Sequence, residues 1–155
     1  MMDWFVKAFL KASLAWLGMG VTLGAAMAAH LRLVGWRTAH IHMQLLGFVA
    51  MMIFGVAYHV IPRFTGHPLH DRRLAGAHWW ISNVGLACFA LGFGLRGSGV
   101  AAGIPLVAAG GILSTIGAYL FIYNLWRTID GRAELRRVAQ QATPATRRPP
   151  IVESA

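Results

Sequence analysis

Charge is scarce in this sequence. Asp, Glu, Lys and Arg make up 12% of its 155 residues, about half the share of an ordinary soluble domain, and a water-soluble fold is correspondingly disfavoured. Cysteine is nearly absent too: Cys88 stands alone, which excludes an intrachain disulfide and any cysteine-based zinc or iron–sulfur site. The five acidic residues, Asp3, Asp71, Asp130, Glu134 and Glu153, all fall outside the long apolar runs. That placement disfavours a transporter or pump relaying through buried carboxylates and excludes carboxylate acid–base catalysis inside a membrane. Ser82, Ser114 and Cys88 have no evident His and Asp partners at matching depth, so a serine or cysteine hydrolase is poorly supported. There is no internal repeat and no phosphate-binding glycine motif; Gly110, Gly111 and the other glycines sit in apolar runs, where small residues let helices pack closely.

What the chain has is apolar length. Four runs reach the roughly 20 residues a helix needs to cross a bilayer: about Ala12 to Ala29, Ala39 to Ile61, Leu74 to Leu95, and Val100 to Trp126. Pro62 and Arg63 close the second, and a Gly97-Ser98-Gly99 turn separates the last two. Short connections predict antiparallel neighbours. The expected fold is therefore an all-α integral membrane bundle of four transmembrane helices over residues 1–130, with a basic tail over 131–155.

The fourteen Lys and Arg gather at the ends of uncharged runs and form no amphipathic stripe, so nucleic acid is not an implied partner. Eleven of them, among them Lys7, Lys11, Arg63, Arg72 and Arg127, fall on the side of the termini, against Arg32, Arg37 and Arg96 on the other. The positive-inside rule then puts both termini in the cytoplasm of a multi-pass bacterial inner-membrane protein. His30, His40 and His42 lie near the outer face, and His59, His67, His70 and His78 at or near the inner one. Trp4, Trp16, Trp36, Trp79, Trp80 and Trp126 fall mostly near span ends, as in an interfacial belt. Ala26-Met27-Ala28 mimics a signal-peptidase site, but the preceding apolar run is long for a signal, and retention as a first span is expected. In the tail, Ala133 to Gln141 reads as a basic surface helix and Thr143 to Ala155 as disordered.

Histidine is the intramembrane chemistry that remains, and neutral imidazole ligates haem iron, copper and zinc. His40 and His42 are two residues apart, about 200° on a regular helix, so they cannot serve one axial site together. The stripe from His40 carries Gln44, Gly47, Met51, Gly55 and Tyr58, with small residues where a flat macrocycle would lie. The stripe from His42 carries Leu46, Val49, Ile53, Val56 and Val60, bulky groups suited to lipid or a neighbouring helix. His40 is the better axial ligand. Among the inner histidines, loose spacing and Pro68 favour plain loop polarity for His67 and His70 over a copper site completed by Asp71. His59 sits in the last turn of span two, where it can bond a propionate or a neighbouring helix. Arg37 and Arg63 are candidate propionate or headgroup partners.

The run from His40 through Phe48, followed by Gly55-Val-Ala-Tyr-His-Val-Ile-Pro-Arg63, resembles the second helix of the haem–copper oxidase catalytic subunit superfamily, in particular its cbb-type and nitric-oxide-reductase branch. His78-Trp-Trp-Ile-Ser-Asn83 resembles the start of the third helix. The resemblance implies a haem b ligated by His40 and, by order of spans, a chain similar to the first four helices of that subunit.

The oxidases' second low-spin ligand, their high-spin ligand and their copper histidines lie beyond the fourth helix, so a complete oxygen- or nitric-oxide-reducing centre in one protomer is not expected. The second axial position then falls to His30, to His40 of a second copy, or to another subunit; His42 is the weaker candidate. The leading expectation is a haem b protein for electron transfer or diatomic-gas binding in respiratory or nitrogen-oxide metabolism, working as a homo-oligomer or with respiratory-complex subunits. The rivals are a haem- or copper-handling assembly factor and a non-catalytic structural subunit.

Overall fold

The computed structural model describes residues 2–131 together with 138 and 139. The expected surface helix and terminal segment of the tail lie essentially outside the described residues. The first helix, α1, is Trp4–Ala29. It begins eight residues earlier than the apolar run suggests, because Lys7 and Lys11 are exposed while Phe5, Val6 and Phe9 beside them are buried. A lysine stem on the rim of a bundle keeps its ammonium in polar surroundings and costs the helix little.

The second span is not one regular helix. A 3-10 stretch over Leu31–Trp36 leads into α2, Arg37–His42. A π-helical segment over Met43–Ala50 follows, and α3 runs Met51–Thr65. The π stretch changes the angular step per residue, so faces cannot be carried from His40 down the span with one period. Pro62, expected to close the span, is instead accommodated inside α3, where it removes the donor for the Tyr58 carbonyl. The helix ends one turn later at Gly66, whose φ of 71° is the left-handed geometry glycine adopts without strain.

Helix α4, Arg72–Gly97, starts where Asp71 accepts hydrogen bonds from the backbone N–H groups of Arg73 (2.6 Å) and Leu74 (3.2 Å). These are donors that a helix start leaves unpaired. The turn after Gly97 carries Gly99 at φ 80° and leads into α5, Gly103–Ile129. As expected of the apolar glycines, α4 and α5 meet at near-backbone contact. A Cβ on Gly110 would lie 2.8 Å from the Phe89 nitrogen, and one on Gly92 would lie 2.7 Å from that of Val107.

All four long helical stretches are long and apolar enough to cross a membrane, and among the described residues there is no strand. The fold is an integral membrane helix bundle whose exposed Val21, Ile53, Ile112 and Ile116 belong to a lipid-facing surface. Polar contacts close its two ends. At the end carrying the N-terminus, Asp3 pairs with Arg72, the Asp71 N–H donates to Asn124 Oδ1 (3.0 Å), and Asn124 Nδ2 donates to the Asp71 carbonyl (2.8 Å). At the hairpin end, Trp36 Nε1 donates to Ser98 Oγ at 3.1 Å. Midway, Trp16 Nε1 donates to Asn83 Oδ1 at 3.1 Å, joining α1 to α4.

Candidate functional site

His40 turns towards α1. Its Nδ1 lies 2.8 Å from the carbonyl oxygen of Gly20, and its Cε1 occupies the space a side chain on Gly24 would need, 2.9 Å from an ideal Cβ there. A carbonyl only accepts, so Nδ1 carries the hydrogen and the lone pair of the neutral ring sits on Nε2. This is how a second group orients a histidine for metal. Gly20 and Gly24, one turn apart on α1, are the signal for this seat, legible once their partner helix is known.

His42 turns the other way. Its Nδ1 donates to the Thr38 carbonyl at 2.8 Å, and its ring lies 4.9 Å from Phe89 and 4.6 Å from Phe93 of α4. The two histidines thus address different helices, as their separation by two residues predicts. His30 is exposed, with φ −133°, at the end of α1. It follows Gly24 by six residues, about 9 Å at the helical rise, so the hairpin does not return His40 to His30's depth. Arg37 is exposed at the start of α2.

Gly47 and Gly55 depart from the expected macrocycle face. A Cβ on Gly47 would lie 2.6 Å from Trp16 Cβ and 2.9 Å from Leu86 Cδ2, and one on Gly55 3.1 Å from Phe9 Cβ. Both glycines are buried against neighbouring helices, and the space expected for a planar ligand holds side chains of α1 and α4. His59 Nδ1 is 3.0 Å from Arg63 Nη1, which also donates to the His59 carbonyl, so these two satisfy each other along one helix. The His67 ring packs against Gly131, and His70 donates its backbone N–H to Thr128 Oγ1 at 3.0 Å. Asp71 is engaged as the cap of α4. Among the described residues, no three His, Cys, Asp or Glu side chains come together as metal ligands.

The sequence places His78 near the inner end of the spans and says nothing of its burial; the structure puts its side chain in the core, wholly buried. It is ringed by Phe9 (4.9 Å), Phe54 (4.7 Å) and Phe121 (5.5 Å). Its Nδ1 is 3.0 Å from the hydroxyl of Tyr58, itself buried, and its Nε2 is buried with no hydrogen-bond partner. Tyr58 stood on the His40 stripe without an assigned role. The available signal was that His78 lies just over one turn inside an apolar span.

Comparison with known proteins agrees with the resemblance read from span two. The chain is 27% identical to the cbb3-type cytochrome c oxidase subunit CcoN1 of Stutzerimonas stutzeri, over 88% of this chain and 36% of the relative. It is 27% identical to cytochrome c oxidase subunit 1 of Rhodobacter capsulatus, over 71% of this chain and 25% of the relative. With cytochrome c oxidase subunit 1 of Thermus thermophilus it shares 29% over 70% of this chain and 23% of the relative. No family model matches. The chain is a relative of haem–copper oxidase subunit I, and it spans roughly a quarter to a third of the length of these relatives.

Proposed function

We propose that this relative of oxidase subunit I holds one haem b per protomer through His40 Nε2, as an electron-transfer or diatomic-gas-binding protein of respiratory or nitrogen-oxide metabolism. The observation that carries the reading is the 2.8 Å bond from His40 Nδ1 to the Gly20 carbonyl, which leaves the coordinating nitrogen of a neutral imidazole unengaged in this seat. The seat fits the donor chemistry: a bare glycine surface admits the ring, and a carbonyl fixes its tautomer. When bound, haem supplies a reversible one-electron couple. The chain's part is to orient one ligand and, through exposed Arg37, to offer a propionate a charge-assisted partner.

The second axial position belongs to a group from outside the chain, either a second copy or another subunit; His30, about 9 Å further along α1, is the alternative within the chain that the test below decides. Copper does not enter the proposal. The eleven-to-three distribution of basic residues supports a bacterial inner membrane with the termini in the cytoplasm.

The test is the dithionite-reduced spectrum of purified protein with His40, His30 and His42 each changed to Ala. Loss of the low-spin spectrum in His40→Ala is expected; its retention overturns the reading. Loss in His30→Ala as well identifies the second ligand, and retention there assigns it to a partner. Carbon monoxide added to the reduced protein then separates gas binding, which shifts the spectrum, from electron transfer through a closed site. A colourless preparation overturns haem altogether and returns the chain to a structural role.

A further inference from the structure

Two arginines that the haem reading does not use meet at the end of the bundle carrying the N-terminus. Arg63 lies in the last turn of α3 and Arg72 opens α4, each just beyond an apolar run, where a membrane-crossing helix meets the headgroups. The loop 66–71 folds back between them and leaves a cleft of about 550 Å³, with Asp3, Arg63, His67 and Arg72 in its wall beside Pro62 and Leu69. Both arginines are exposed, and each is held at one edge only. Arg63 Nη1 donates to His59 Nδ1 at 3.0 Å and to the His59 carbonyl; Arg72 Nη2 pairs with Asp3. A guanidinium carries five N–H donors in one plane, so both keep donors for a further acceptor. Against two guanidinium charges the wall sets one carboxylate, and its surplus is positive. The same helix also offers an apolar groove of about 290 Å³, lined by Ile53, Val56, Val60 and their neighbours on α3. Arg63 follows Val56 and Val60 at helical spacing, so the groove runs along α3 towards the basic cleft.

We propose that the cleft binds the headgroup phosphate of an anionic phospholipid, with an acyl chain of that lipid along the α3 groove. The phosphate oxygens take the remaining N–H donors of Arg63 and displace Asp3 from Arg72, an exposed pair that holds weakly in salt, in favour of charge-assisted bonds to phosphate. Basic pockets between membrane helices recognise such headgroups. An anionic head is preferred to a zwitterionic one, because the wall's surplus is positive and its one carboxylate already faces Arg72. Free phosphate has the same polar chemistry but no chain for the groove to hold. The site lies at the other end of span two from His40 and does not depend on haem.

The experiment titrates the full chain, purified in neutral detergent, with dioleoyl-phosphatidylglycerol or dioleoyl-phosphatidylcholine and counts bound lipid by native mass spectrometry. One phosphatidylglycerol is expected to bind about tenfold more tightly than phosphatidylcholine, and the preference to vanish in the double variant Arg63→Gln/Arg72→Gln. Lys7→Gln/Lys11→Gln removes the same charge from the same end of the bundle but outside the cleft, and should keep the preference. Equal loss in the two double variants overturns the site, because it describes general attraction to a basic surface; a preference that survives in Arg63→Gln/Arg72→Gln also overturns it. Asp3→Asn frees Arg72 and should tighten phosphatidylglycerol by a factor of up to about five, a gain that a misfolded chain does not produce; weaker binding there overturns the displacement of Asp3. Release of the lipid by millimolar inorganic phosphate identifies free phosphate as the occupant and overturns the lipid.

Discussion

The ring of His40 and the α-carbon of Gly24 compete for one space: any Cβ at Gly24 would stand 2.9 Å from His40 Cε1. Helix α1 itself tolerates a side chain there, since Gly24 has ordinary helical geometry. Gly24→Val is therefore expected to leave the helix formed but to push the imidazole off the Gly20 carbonyl. The haem-to-protein ratio of purified Gly24→Val, measured as the pyridine haemochrome, should fall tenfold or more. Gly18→Val is the control, since nothing lies within 4 Å of a Cβ at that position; an equal loss in both variants counts against the seat.

Asp71 holds two ends at once. Its carboxylate caps α4, and its backbone is clasped by Asn124 of α5. Replacing a capping Asp by Ala costs about 0.5–2 kcal/mol, whereas Asn caps nearly as well. Asp71→Ala should lower the thermal midpoint of the detergent-solubilised protein by several degrees, and Asp71→Asn should restore most of it. If Asp71 instead served a metal, Asn would not rescue.

The seam between α4 and α5 gives a sharper contrast. At Gly92 an added Cβ would approach the Val107 nitrogen to 2.7 Å and the Gly103 oxygen to 3.0 Å, both backbone atoms that cannot swing aside. Gly111 meets only the Phe89 ring, at 3.6 Å, an ordinary contact. Overpacking costs about 1–3 kcal/mol, so Gly92→Ala should melt clearly below the parent and Gly111→Ala within a degree or two of it. The measurement is thermal unfolding followed by circular dichroism.

The spans were legible because twenty apolar residues between charges have few other uses, and the Gly97-Ser98-Gly99 turn because glycine there permits the φ of 80° the structure contains at Gly99. The first turns of α1 were hidden by Lys7 and Lys11, whose charges read as a boundary although the helix continues beneath them. The π segment after His42 left no mark in the sequence, since Met43 to Ala50 is apolar apart from Gln44 in any helical form. His40 and His42 were separable by their spacing, which survives because both precede the irregular stretch. The Tyr58–His78 pair was not legible: two residues 20 positions apart meet only in the core that Phe9 of α1 and Phe121 of α5 complete around them, and Trp79 and Trp80 beside His78 suggested an interface. Gly47 was misjudged for the same reason, since a glycine face is equally a slot for a ligand and a seat for Trp16.

His42 separates stability from ligation. Its ring lies within 5 Å of both Phe89 and Phe93, and an aromatic pair of this kind contributes about 0.5–1.5 kcal/mol beyond buried area. His42→Ala should therefore lower the melting temperature while leaving the reduced low-spin spectrum in place, because its Nδ1 is bonded within its own helix to Thr38 and its ring packs on α4 rather than α1. His42→Phe keeps the stack without any ligating nitrogen, and should recover the melting temperature with the spectrum again unaltered. A spectrum lost in both variants, with the melting temperature recovered in His42→Phe, would move the axial ligand from His40 to His42.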